Sequence, residues 1–148
     1  MADRVDVILT TERLLLKRLE KSDIPFLVDL WSDPEVTYYM GGPRKKEYLQ
    51  KTFENDLTQN YDYDLWPLYN RISHEFVGHC GFIPKDIDGK TEIEMNYIIS
   101  KKEWGKGYAT EIALALKHFA FEIMKLVKVI AFIDPKNFQS IKLQKRLE

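Results

Sequence analysis

Two glycines separated by one lysine, Gly105-Lys106-Gly107, sit in the stretch Glu103-Trp104-Gly105-Lys106-Gly107-Tyr108-Ala109-Thr110-Glu111. A strand-like run from Glu92 to Ser100 leads into the glycines, and a strongly amphipathic segment leaves them. Glycine lets the backbone turn tightly and keeps its N–H groups uncovered. The first amides of a helix have no internal partner and lie at the positive end of its dipole. Such a junction binds a phosphate group or another anion without needing a charged side chain. Two better-known phosphate motifs fail on spacing. Lys106-Gly107-Tyr108 lacks the Ser/Thr that must follow the lysine of a P-loop, and no third glycine completes a dinucleotide fingerprint after Gly107.

Other reactive residue types have plainer readings. Cys80, between His79 and Gly81 in a strand-like run, reads as a packing thiol. His74 belongs to a turn, so His74, His79 and Cys80 do not make a metal set. Glu92 and Glu94 share one face of an alternating strand and are either candidate proton acceptors or a solvent-facing pair. Asp56, Tyr61, Asp62, Tyr63 and Asp64 form an acidic, aromatic patch suited to a cationic amine or to a solvated loop.

The elements that must position these groups follow from periodicity. Ile8 to Leu19 reads as a first strand, and Ser22-Asp23 opens a helix with Pro25 in its first turn, closed by Asp33-Pro34. Gly41-Gly42-Pro43 is a loop. A second helix spans Lys45 to Gln59, with Tyr48, Leu49, Phe53 and Leu57 on its buried side. Asp64 to Ile72 and Glu75 to Ile83 form an antiparallel hairpin, followed by a strand from Thr91 to Ser100. Ile112, Ala115, Leu116, Phe119, Ala120 and Ile123 mark one helical face. Val127 to Ile133 reads as a short strand buried on both faces, Asp134-Pro135 ends it, and a last helix starts at Asn137. The result is a mixed α/β fold with one parallel crossover around the glycine loop.

The chain has 148 residues, enough for one domain with a substantial core. A net charge of −1 gives no basic footprint for nucleic acid, and Arg44-Lys45-Lys46 reads as a solvated helix start. No apolar run reaches the ~18 residues of a membrane span. The first residues lack the layout of a signal peptide, and a single cysteine makes no internal disulfide, so a cytoplasmic protein is expected.

Taken with its flanking strand and helix, the glycine loop resembles the acyl-CoA site of the GCN5-related N-acetyltransferases, the GNAT superfamily. Gly105-x-Gly107 matches the glycine half of that family's Gln/Arg-x-x-Gly-x-Gly/Ala pattern, whereas Lys102 stands at its leading position. The string Trp-Gly-Lys-Gly-Tyr-Ala-Thr-Glu is similar to the RimJ/RimL-like branch. So are Thr11-Glu12-Arg13-Leu14, Ser32-Asp33-Pro34-Glu35-Val36, Phe76-Val77-Gly78-x-Cys80-Gly81 and Asn137-x-x-Ser140.

The resemblance implies an α/β (α+β) fold: a mixed, mostly antiparallel sheet flanked by helices, with a splayed parallel strand pair. It implies acetyl-CoA as cosubstrate, no metal, and direct transfer of an acetyl group to a primary amine, either a protein N-terminus or a small molecule. Backbone amides of Trp104, Gly105, Lys106, Gly107, Tyr108 and Ala109 would hold the pyrophosphate, with the Thr110 hydroxyl adding a contact. Pantetheine would run along Met95 to Ile99, past Tyr97, Ile98 and Ile99, and an N–H near Tyr97 or Ile98 would polarise the thioester carbonyl. Asn137 would contact the cofactor. Glu94 would act as general base with Glu92 in reserve, and Ser140 as general acid where Leu143 replaces the tyrosine of many relatives. The Tyr38 to Arg44 loop would line the acceptor pocket.

Relatives continue past Asn-x-x-Ser with a Gly-Phe turn and two further strands, whereas this chain stops at Leu147-Glu148. The C-terminal strands are therefore expected to be missing, which leaves a second reading open: a non-catalytic acyl-CoA-binding or interaction module of the same fold. A monomer or a homodimer is expected, with no nucleic-acid and no membrane partner.

Overall fold

The computed structural model describes residues 6–131 and 137–147. Five strands form one sheet in sequence order, β1 (Val7–Thr10), β2 (Leu14–Lys17), β3 (Leu65–Asn70), β4 (Phe76–Ile87) and β5 (Lys90–Ile99). Every neighbouring pair is antiparallel. The single strand expected from Ile8 to Leu19 is instead a hairpin. The Thr11 amide donates to the Leu14 carbonyl at 2.9 Å and the Leu14 amide to Thr11 Oγ1 at 3.0 Å, which reverses the chain at Glu12-Arg13.

Helices cover both faces of the sheet. On one side α1 (Ile24–Ser32), entered by a tight turn at Lys21–Asp23, and α2 (Lys46–Asp56) bury Leu27, Leu30, Leu49 and Phe53 against Phe76 and Ile98. On the other, α3 (Tyr108–His118) and α4 (Phe138–Leu147) bring Ile112, Leu116 and Leu143 onto Leu14, Leu68, Phe82 and Met95. Removing such surfaces from water is the main driving force for this arrangement. On α2, Tyr48 departs from expectation: it is 63% exposed, while Leu49 and Phe53 carry the contact.

Two further expectations are corrected. The helical face of α3 does not extend to Ile123, which is 63% exposed. A π-type turn over Phe119–Ile123, closed by the Met124 amide on the Phe119 carbonyl at 2.9 Å, inserts an extra residue and rotates Ile123 off the buried face. The strand expected from Val127 to Ile133 is not buried on both faces, because Val127 is 98% exposed. Within the described residues it reduces to one parallel bridge between Glu94 and Ile130. There Met95 N–H donates to Ile130 O at 2.8 Å and Ile130 N–H to Ile93 O at 2.9 Å. That bridge is the parallel crossover expected around the glycine loop. Phe132 to Lys136, including Asp134-Pro135, lie outside the described residues.

Candidate acyl-CoA site

At the C-terminal end of β5 a 3-10 turn (Lys101–Glu103) hands the chain to the glycine loop, which opens α3. Gly105 and Gly107 have φ of 80° and 82°, left-handed values that cost an ordinary L-residue about 1–2 kcal/mol. No acceptor among the described residues takes the amides of residues 105 to 110, whereas Glu111 N–H returns to Gly107 O at 3.1 Å. The run of unengaged amides starts one residue later than the expected Trp104. Trp104 N–H is already engaged on Lys101 O at 3.1 Å, and its indole Nε1 donates to Ile99 O at 2.8 Å. Trp104 therefore contributes a wall and no free amide.

The loop is held from outside by Arg13, the third residue of the Thr11-Glu12-Arg13-Leu14 motif. Arg13 Nε donates to Glu111 Oε1 at 2.7 Å, and its NH1 donates to Lys106 O at 2.9 Å. The guanidinium also lies 4.6 Å from the Tyr108 ring centroid. The Arg13 amide and the Thr11 hydroxyl both donate to Glu111 Oε2. Burial pushes the Glu111 carboxyl up, but these hydrogen bonds and the Arg13 charge outweigh it and hold the group below its ordinary value. The Lys106 ammonium is turned onto buried Glu103 at 2.8 Å, so it is already paired. Tyr108 is buried, and its hydroxyl accepts from Asn70 Nδ2 at 3.0 Å, so its backbone amide is its unengaged polar group at the loop.

From the loop a groove of about 500 Å³ runs past Thr110 and Trp104 to Tyr97, Ile98 and Ile99, with Tyr39 and Met40 on one wall and Asn137, Ser140 and Leu143 on the other. Its size is that of a small-molecule site. Strand alternation assigns the amides along its floor. Met95 N–H points out to Ile130, and Ser100 N–H points in to Val77 O on β4 at 2.8 Å. By the same alternation Tyr97 and Ile99 N–H face the groove, and Ile98 N–H belongs to the β4 ladder. Of the two positions expected to offer a carbonyl-polarising amide, Tyr97 directs its N–H to the groove side and Ile98 directs its own to β4. The close approach of β4 to β5 that builds this floor requires Gly78, where a Cβ would lie 2.2 Å from Ile98 O.

On α4, Asn137 is the helix cap: its Oδ1 accepts from Ser140 N–H at 3.2 Å and its carbonyl from Ile141 N–H at 3.2 Å. Ser140 itself lies one turn in, facing the groove, and Leu143 is buried behind it. The carboxylates are elsewhere. Glu94 is 5% exposed, hence no solvent-facing group, and its Oε1 lies 3.9 Å from Lys85 Nζ. Neither it nor Glu92, which pairs with Lys128 at 3.3 Å, lines the groove. Glu94 shares the strand face of Ile98, about 13 Å away at ~3.3 Å per residue.

The remaining candidates are structural. Cys80 is fully buried, its thiol pushed up to about 12 by burial. His79, pushed down to about 3 by burial, accepts from Trp31 Nε1 at 3.0 Å through Nδ1. No metal-ligand cluster occurs among the described residues.

Residues 13–148 match the family model of the acetyltransferase (GNAT) domain. The chain belongs to the GNAT acetyltransferase family. It is 34% identical over 142 residues to the uncharacterized N-acetyltransferase p20 of Bacillus licheniformis, covering 91% of this chain and 78% of that protein. A GNAT-family acetyltransferase from Bacillus anthracis superposes with a TM-score of 0.79 at 26% identity, over 94% of this chain and 81% of the other. Spermidine N-acetyltransferase from Vibrio cholerae, solved in complex with CoA and spermine, gives a TM-score of 0.78 at 18% identity over 93% and 80%. At that identity the likeness to the Vibrio protein is one of fold. Among the described residues of this GNAT domain, no helix is long and apolar enough to cross a membrane.

Proposed function

We propose that this chain is an acetyl-CoA-dependent N-acetyltransferase of the RimJ/RimL-like branch, a single catalytic domain that moves an acetyl group directly to a primary amine. The observation that carries this reading is the run of unengaged amides from 105 to 110 at one end of a groove whose floor is the edge of β5. The amides suit a pyrophosphate, since they combine the positive end of the α3 dipole with uncovered glycine backbone. Pantetheine fits along Ile99 to Tyr97. Tyr97 N–H donates to the thioester carbonyl oxygen, where negative charge grows as the amine attacks. Asn137 fixes the first turn of α4 and so positions Ser140 beside the leaving sulfur.

The acceptor must be a neutral amine. An α-amino group, with a pKa of about 7.7–8, is deprotonated far more readily near neutrality than a lysine at about 10.4. A protein N-terminus or a small amine with a lowered pKa is therefore the favoured class. The Vibrio enzyme's polyamine ligand makes spermidine a natural member of the test panel. Glu94, about 13 Å along the strand from Ile98, receives the amine's proton through a file of several waters.

The position of Glu94 outside the groove lining favours one competing reading, a non-catalytic acyl-CoA-binding module. Both predict binding; only the first predicts turnover. At a hundred times its Kd, acetyl-CoA adds about 2.7 kcal/mol of stability. A thermal shift with acetyl-CoA but none with NAD or ATP supports the cosubstrate, and no shift at saturation sinks it. Thiol release across a panel of N-terminal peptides, spermidine and amino acids then separates enzyme from binder.

A further inference from the structure

The chain between α1 and α2 supplies one wall of the groove through Val36, Tyr39 and Met40. It is pinned from behind by Arg44, which is half-buried rather than the solvated helix start its sequence context suggests. Arg44 Nη1 donates to Met40 O at 2.7 Å and to Gly42 O at 2.8 Å. Its guanidinium lies 5.0 Å from the Trp31 ring centroid, and its backbone N–H donates to Trp31 O at 3.0 Å. Trp31 Nε1 donates in turn to His79 Nδ1 at 3.0 Å. An indole N–H can only donate, so that histidine nitrogen carries no proton. His79 faces Ile98 across the β4–β5 ladder, and Ile98 belongs to the groove floor. Arg44, Trp31 and His79 therefore tie the wall to the floor and fix the gap between them. Inside the loop, the carbonyl of fully buried Thr37 accepts from Met40 N–H at 2.9 Å and Gly42 N–H at 3.0 Å.

This wall lies on the side where the amine enters. Met40 packs against the cluster of Leu27, Phe53 and Ile98, on the α1–α2 face of the sheet. Glu94 shares that strand face with Ile98, so a proton bound for Glu94 leaves on the same side. Ser140 stands on the opposite wall. With the thioester carbonyl on the β5 floor and its sulfur toward Ser140, the incoming nitrogen sits against Tyr39 and Met40. The chemistry offered there is apolar. Among the described lining residues there is no lysine, arginine or histidine. The two lining carboxylates are already paired, Glu35 with Lys101 at 2.6 Å and Glu103 with Lys106 at 2.8 Å.

We propose that Arg44 is a positioning residue, and that the wall it holds selects primary amines carrying an apolar group beside the nitrogen. The proposal rests on the acetyl-transfer reading above. An apolar side chain gains by leaving water for an aromatic ring and an adaptable thioether. A hydroxyl in the same place loses its water without finding a partner.

The test compares two peptides alike except for the first residue, methionine or serine, with saturating acetyl-CoA and thiol release as the readout. The unaltered protein should favour the methionine peptide by about tenfold or more in kcat/KM, the scale on which an apolar pocket discriminates. Arg44→Gln should bring that ratio below about threefold through the KM of the methionine peptide, with acetyl-CoA affinity by calorimetry within about twofold. Arg44→Lys should restore little, because an ammonium lacks the planar face that stacks on Trp31. Met40→Ala should lower the ratio in the same way, and it supplies the reading if Arg44→Gln fails to fold. The double variant should go no further than Met40→Ala alone, because Arg44 acts through the wall. An unchanged ratio in Arg44→Gln, or an equal loss with both peptides, overturns the proposal and leaves acetyl transfer standing. So does an unaltered protein that prefers serine, or that acetylates spermidine but not the methionine peptide. Turnover of no amine by the unaltered protein overturns both.

Discussion

Replacing Arg13 by Gln should weaken acetyl-CoA binding even though this cation need not touch the ligand. Its guanidinium spans Glu111 and the Lys106 carbonyl while stacking on Tyr108. The bond to a carboxylate would be worth about 1.5–3 kcal/mol if buried. With 41% of the Arg13 side chain exposed, solvent screening brings it nearer ~1 kcal/mol. The Lys106 bond adds about 1 kcal/mol and the ring contact about 0.5–1. Global stability should therefore fall by roughly 2–3 kcal/mol. Binding suffers separately. Fixing one backbone residue costs about 1–2 kcal/mol, and a loop no longer held must be ordered by the ligand itself. If one or two loop residues are released, the loss is about 2 kcal/mol, roughly thirtyfold in Kd. Titration calorimetry with acetyl-CoA measures this, and turnover of acetyl-pantetheine, which lacks the pyrophosphate, is the control. Arg13→Lys should recover the charge without the fork and restore little. A Kd within threefold of the unaltered protein, or an equal loss with both donors, would refute the reasoning.

Three other outcomes are expected. Gly78→Ala should destabilise the fold by about 3 kcal/mol or more in urea unfolding, because its Cβ would sit 2.2 Å from the Ile98 carbonyl; a loss below about 1 kcal/mol would contradict that contact. Glu94→Gln should lower kcat by roughly a hundredfold near pH 7 with unchanged acetyl-CoA affinity, and an unchanged rate removes Glu94 as base. Asp64 has its carboxyl pushed up to about 6, mainly by burial, so its favourable contribution is complete below about pH 4 and lost as pH rises through 6. Asp64→Asn should accordingly match the unaltered protein at pH 4 and exceed it by about 1–2 kcal/mol at pH 7.5, a few degrees in Tm, after discounting for partial exposure. An equal Tm difference at both pH values would exclude Asp64 as the source.

The glycine loop was legible in the sequence because its requirements are local. Two left-handed residues must be glycine, and the helix that follows announces itself by its period. The same holds for α1, whose Pro25 and Asp33-Pro34 mark both ends, and for the β3–β4 hairpin. The first hairpin was missed because Leu14-Leu15-Leu16 and the residues before Thr11 are all strand-compatible. Only the closure of Thr11 onto Leu14 divides them. Periodicity also cannot show a π-type turn, which moved Ile123 to the surface without a break in the apolar pattern.

What the sequence determined by itself was the chemistry of the glycine loop: backbone amides at a helix start, in the motif order of a GNAT domain. Only the tertiary structure decided which groups are free to use it. It engaged Trp104 N–H and turned the Tyr97 and Ile99 amides into the groove. It placed Glu94 away from the lining, and brought Arg13 to Glu111 and Gln144 to Tyr97. Availability of an N–H depends on what it faces, and those partners lie up to 98 positions apart, beyond the reach of any local pattern.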